Sequence, residues 1–184
     1  GLTATPKEDN EISNSSYFGE PIYTYSLKQG INDGFLAPFK VIRVGIDVDL
    51  MEYRPPEGML DDYGNEIPDK IYNIKDYDRN LVLTNRTKLV ASRISEFLKS
   101  TDRMAKTIVF CVDIEHTQRM CEALRNENSD LLRQNPNYIA QITGDVPNVN
   151  AMVERFSRPD EIYPVIAVTS KLLTTGVDCK TCKV

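Results

Sequence analysis

The sequence predicts an α/β fold built on a mainly parallel sheet. Two observations carry that expectation. From Thr107 onward, short runs of mostly β-branched residues alternate with helical stretches, which is the pattern of βαβ units. Apolar residues make up 41% of a 184-residue chain, enough to bury a core in one domain with at most an appended segment.

The opening, G-L-T-A-T-P, is small and polar, and residues 10–20 read as loop. P-I-Y-T-Y, residues 21–25, reads as a short strand. S-L-K-Q-G-I-N-D-G then reads as a short helix, with Ser26 as N-cap and Gly34 as its C-terminal stop. Residues 40–50 alternate Ile42, Val44, Ile46, Val48 and Leu50 with mostly polar neighbours, the period of a strand with one wet face. Three prolines, two glycines and many acids over residues 51–70 mark a long loop or insertion. Residues 76–100 read as helical, since Leu89, Val90, Ile94, Phe97 and Leu98 keep a 3.6 period. T-I-V-F-C-V, Y-I-A-Q-I and P-V-I-A-V-T follow as strands, separated by helices at 114–128 and 149–156.

The net charge of −5 argues at first against a nucleic-acid partner. Its distribution softens that argument. Residues 47–78 carry ten acids and three bases, leaving seventeen acids against nineteen bases elsewhere. A groove gripping a few phosphates fits that remainder. No apolar run is long enough to span a membrane, and no charged and apolar leader of a secreted protein opens the chain. The four cysteines are therefore expected to be reduced, in a cytoplasmic setting. The lone C-K-T-C spacing, without a second pair at ligand distance, points away from a zinc or redox role. His116, the single histidine, opens a helical pattern and is expected to be solvated or part of a cap.

In parallel sheets ligands sit beyond the carboxyl ends of the strands. The residues to inspect are Asp113, then Thr143, Gly144 and Asp145, then Thr169 and Ser170. Each alone is also ordinary turn chemistry, but three exits on one edge would form a surface. No G-x-x-x-x-G-K-[ST] or G-x-G-x-x-G occurs, and no Asp-Glu pair follows a strand to hold magnesium. If the domain touches a nucleotide, it does so as the second wall of a site whose first wall lies elsewhere.

Three stretches now align with a known pattern. L-T-A-T-P, I-V-F-C-V-D and V-T-S-K-L-L-T-T-G-V-D occur in the order of motifs III, IV and V of superfamily 2 helicases and translocases. With Y-T-Y-S-L-K-Q-G-I-N-D-G-F-L and I-T-G-D, the chain resembles the restriction subunit of type I restriction–modification enzymes over nearly its whole length. The resemblance implies a RecA-like three-layer fold, with residues 1–20 as a leader from the first motor domain. Residues 21–184 would be the second motor domain, with an acidic insertion at 51–75. The Walker motifs would precede Gly1, and the arginines of motif VI would follow Val184.

Residue by residue, the resemblance assigns Thr3, Ala4 and Thr5 to motif III, which couples nucleotide state to DNA contact. Asp113 falls in motif IV and is assigned, with the residues that follow, to the DNA backbone. Thr143, Gly144, Thr169 and Ser170 fall where hydroxyls and backbone amides meet DNA phosphates; many relatives carry Asp at the position of Ser170. Thr175, Gly176 and Asp178 fall nearest the ATP. ATP and magnesium are implied for the longer parent, with P-loop and metal ligands outside this chain. Double-stranded DNA and the modification and specificity subunits are the implied partners. The parent would be an ATP-dependent translocase and site-specific deoxyribonuclease, and the isolated chain inactive. A translocase holds DNA by its backbone without reading bases, and neutral hydroxyls at element ends suit that task. Alternatives are the same domain of another superfamily 2 helicase, or a non-catalytic RecA-like interaction module.

Overall fold

A computed structural model describes residues 14–45, 84–173 and 177–184, together with positions 54, 58–60, 64 and 66–68. The chain divides into two compact units, Gly1–Val44 and Gly45–Val184.

The first unit holds helix α1 (Asn14–Phe18), in a stretch expected to be loop, and helix α2 (Leu27–Asn32). The second follows its sequence signals closely. Ser26 Oγ accepts from the Gln29 amide at 3.2 Å, and Gln29 Oε1 accepts from the Ser26 amide at 2.8 Å, a reciprocal capping box. Gly34 stops the helix at φ +79°, a conformation that disfavours a side chain. The chain then folds back, and the Phe35 and Leu36 amides both donate to Gly30 O. A Cβ on Gly30 would meet Leu36 Cδ1 at 2.7 Å, so a larger residue here would push the tip of the Leu36 side chain aside.

Two expected strands are corrected here. Residues 21–25 and 40–45 form no ladder among the described residues. Ile22, Tyr23, Val41, Ile42 and Val44 are exposed. Alternation specifies a face but not a partner, and among the described residues the backbone groups here find no neighbouring strand. Residues 46–50 lie outside the described residues.

The second unit contains the core. Among its few described positions, 58–68 show Leu60 bridged to Glu66 and glycines 58 and 64 at positive φ, in keeping with turn chemistry. Helix α3 (Thr84–Ser100) leads into strand β1 (Thr107–Phe110), then helices α4 (Ile114–Glu127) and α5 (Ser129–Gln134). Strand β2 (Ile139–Gln141), helix α6 (Val149–Ser157) and strand β3 (Ile166–Thr169) complete the order. The three strands form a parallel sheet in the order β1-β3-β2, so the last strand in sequence is the central one. The tail joins the other edge of β1: Cys182 bridges Lys106, and the Ile108 amide donates to Val184 O at 2.9 Å.

The pleat of β3 divides the core in two. Ile166 and Val168 point with Val109 and Ile139 into a cluster completed by Leu98 of α3 and Met120 and Leu124 of α4. Ala167 points the other way, into a cluster with Ile142, Phe156 and Leu173. Helices thus cover both faces. The first crossover runs from β1 past the place of β3 to β2, and the second returns from β2 to β3. Two crossovers of one hand running in opposite directions must use opposite faces, as α4 and α6 do. The architecture is α/β and three-layered, consistent with a RecA-like domain. No described helix is long and apolar enough to cross a membrane.

At the amino end of the sheet Arg103 makes a two-pronged ion pair with Asp130, at 2.6 and 2.8 Å. The guanidinium holds the Asp130 carboxyl well below the usual carboxylate range. A depressed folded pKa stabilises above the unfolded value, and that contribution fades as pH falls through the folded one. Asp130→Asn should therefore destabilise at neutral pH, with the gap to the parent closing below about pH 4. Urea midpoints of both proteins across pH would show it, and a gap independent of pH would refute it.

Candidate functional site

The carboxyl edge of the sheet is where the three predicted exits meet. Register pairs Phe110 with Thr169 and Gln141 with Val168, so the strands end nearly level. The Cys111 amide donates to Thr169 O at 2.7 Å, and the Ile142 amide to Val168 O at 2.9 Å. These bonds carry the ladder one residue beyond the strands and set Asp113, Thr143 and Ser170 along one rim.

Each exit residue has a local occupation. Asp113 is the N-cap of α4: its Oδ1 accepts from the His116 amide at 2.7 Å, and its carbonyl accepts from Thr117 Oγ1. A carboxylate used this way repels a phosphate, so any anion contact here belongs to backbone groups. His116 is buried rather than solvated, and its Nδ1 accepts from the Val112 amide at 3.4 Å, closing the β1–α4 turn. Thr143 is buried, with its hydroxyl accepting from Gln141 Nε2 at 2.8 Å. Its carbonyl accepts from the Val146 amide, which turns the chain and leaves Gly144 exposed with open space around its Cα. Ser170 is half-buried.

Thr169 differs from the rest. It is fully buried, and its hydroxyl finds no hydrogen-bond partner among the described residues. A buried hydroxyl without a partner costs about 1–3 kcal/mol.

Asp178 lies elsewhere. It precedes Cys179, whose thiol donates to Phe156 O, the same carbonyl that accepts from Lys106 Nζ at the amino end of β1. Thr169 thus lies at the carboxyl edge of the sheet, whereas the residues about Asp178 lie toward its amino edge. The Asp178 side chain is 80% exposed and faces Lys180 Nζ at 4.0 Å. Thr3, Ala4, Thr5, Thr175 and Gly176 lie outside the described residues.

Sequence reading missed a groove of about 440 Å³ on the outer side of β1, lined by Arg86 and Val90 of α3, Phe110, Val112, His116 and Val184. It also missed Lys106, buried with its ammonium on Phe156 O at 2.6 Å and 5.1 Å from the Phe156 ring centroid. Neither leaves a periodic signal.

No protein-family model matches the chain. Individual relatives do. It is 56% identical, over 183 residues and its full length, to the type I restriction enzyme EcoAI endonuclease subunit of Escherichia coli. It is 32% identical over 96% of its length to the EcoKI endonuclease subunit of Escherichia coli strain K12. The chain spans 23% and 16% of those two relatives. Among solved structures it matches a fragment of an HsdR subunit of a type I restriction enzyme from Vibrio vulnificus YJ016, with a TM-score of 0.76 and 44% identity. That match covers 98% of this chain and 31% of the other. Over its whole length the chain therefore belongs to the endonuclease-subunit family of type I restriction enzymes, as the counterpart of one segment of that longer subunit.

Proposed function

We propose that the chain is the second RecA-like motor domain of the ATP-dependent, DNA-translocating and DNA-cleaving subunit of a type I restriction enzyme. Residues 1–20 are its leader and 51–75 its acidic insertion. The parent acts with modification and specificity subunits on double-stranded DNA. The carboxyl rim carrying Asp113, Thr143, Gly144, Thr169 and Ser170 contacts the DNA backbone, at Asp113 through backbone groups, and Thr175, Gly176 and Asp178 form one wall of the ATP cleft. Thr3, Ala4 and Thr5 couple the two.

The observation that carries this reading is the level alignment of three small, polar strand exits on one rim. The fit to ATP is partial. Asp178 presents a solvent-facing acceptor suited to a ribose hydroxyl. The P-loop and the magnesium ligands are assigned to the rest of the parent. The bound nucleotide would supply the phosphoryl group whose hydrolysis drives translocation. In this reading the isolated chain lacks a complete ATP site.

Thr169→Val tests the proposal because stability and activity should move in opposite directions. Removing an unpartnered buried hydroxyl should leave the isolated chain as stable or steadier by about 1 kcal/mol. In the full-length parent the same change should slow DNA translocation about tenfold, the equivalent of one lost phosphate hydrogen bond. Translocation at the parental rate would remove Thr169 from the DNA contact.

A further inference from the structure

Cys179 and Cys182 belong to one tight turn. The Cys182 amide donates to Cys179 O at 3.1 Å. A turn closed by that i+3 bond holds its end Cα atoms within about 7 Å, a range that overlaps the span of a disulfide. Both side chains pack against the same apolar cluster of Ile142, Phe156, Ala167 and Leu173, so they share one face of the turn. Both are thiols and both are partly exposed, whereas Cys111 and Cys121 are buried.

The sequence spacing alone points away from a redox role, because a single CxxC has too few ligands for zinc and no partner pair. The turn changes the weighing. We propose that Cys179 and Cys182 form a reversible dithiol–disulfide site that reacts with low-molecular-weight disulfides. One cysteine, as thiolate, attacks a sulfur of the small disulfide and expels one small thiolate, leaving a mixed disulfide on the protein. The second cysteine gives up its proton and attacks the protein-side sulfur. A second small thiolate leaves as the Cys179–Cys182 bond forms. The protein loses two hydrogens and two electrons, and the small disulfide becomes two thiols.

The surroundings set the pace. Burial raises the Cys182 thiol above its ordinary range, with the neighbouring Cys179 adding to the rise. The reaction therefore quickens as pH increases. The bond would tie down the turn that leads into the Cys182–Lys106 bridge. None of this depends on the motor reading.

The test is to incubate the 184-residue chain with glutathione disulfide, quench in acid, unfold it and titrate its thiols. The count should fall from four to two, with peptide mapping locating a Cys179–Cys182 link. A reducing thiol should restore all four. Cys179→Ser and Cys182→Ser should instead each hold one glutathione on the remaining cysteine, since no second thiol resolves it. A parent that keeps four thiols, or carries only stable glutathione adducts at these positions, would overturn the proposal. So would a link through Cys111 or Cys121.

Discussion

Phe156→Ala should cost about 3–5 kcal/mol of stability, a large share of the ~5–15 kcal/mol available to a domain. Phe156 is fully buried and is the largest side chain in the cluster on the second face of the sheet. Removing its ring leaves Ile142, Ala167 and Leu173 facing a cavity. The ring also sits beneath the Lys106 ammonium, so the buried charge loses a neighbour. Urea unfolding should show the midpoint falling by at least about 1 M with little change in slope. Phe156→Leu should recover much of the loss. The cost should also depend on Lys106: in the Lys106→Met background, Phe156→Ala should cost less than in the parent, because ring and ammonium interact directly. A loss under about 1 kcal/mol would mean that the second face adds little to the fold.

Asn128→Ala comes next, at about 2–3 kcal/mol. Asn128 is buried at the junction of α4 and α5. Its Nδ2 donates to Ser95 Oγ and to Leu124 O, each at 2.9 Å, and its Oδ1 accepts from Arg103 Nη2 at 3.3 Å. One amide therefore joins α3, the end of α4 and the turn before β1. Alanine strands the fully buried Ser95 hydroxyl. Asn128→Asp should be worse at neutral pH, because it turns an acceptor toward the Leu124 carbonyl where a donor stood. Thermal melts should rank parent, alanine, aspartate in falling order. Alanine matching the parent would show that Ser95 re-pairs elsewhere.

These two residues mark the limit of what could be read from the chain. Phe156 was legible as helical and apolar, and the strands holding Val109, Ile139 and Val168 announced themselves as short branched runs. Capping at Ser26 and the stop at Gly34 were legible because cap and turn chemistry is local. The stretches at 21–25 and 40–45 misled because alternation reports side-chain polarity, whereas a strand needs a partner that only tertiary structure supplies. Lys106 and Asn128 were illegible as core for the converse reason: their burial is offset by specific partners far away in sequence. At the rim, the positions of Thr143 and Thr169 were foreseen, but not that both hydroxyls would be buried. Exposure depends on how the following turn closes over the strand end.

The strand order bears on how the molecule is made. β3 lies between β1 and β2, which do not pair with each other. As the polypeptide leaves the ribosome, β1 and β2 emerge with no ladder open to either. Thr107 waits for Ile166, and Ile139 waits for the same residue. Closing such loops costs entropy before any pairing repays it, so assembly is slow and strand edges stay uncovered meanwhile. Nascent chains halted before Val165 should therefore be the aggregation-prone species, the ones a chaperone must shield until the middle strand arrives.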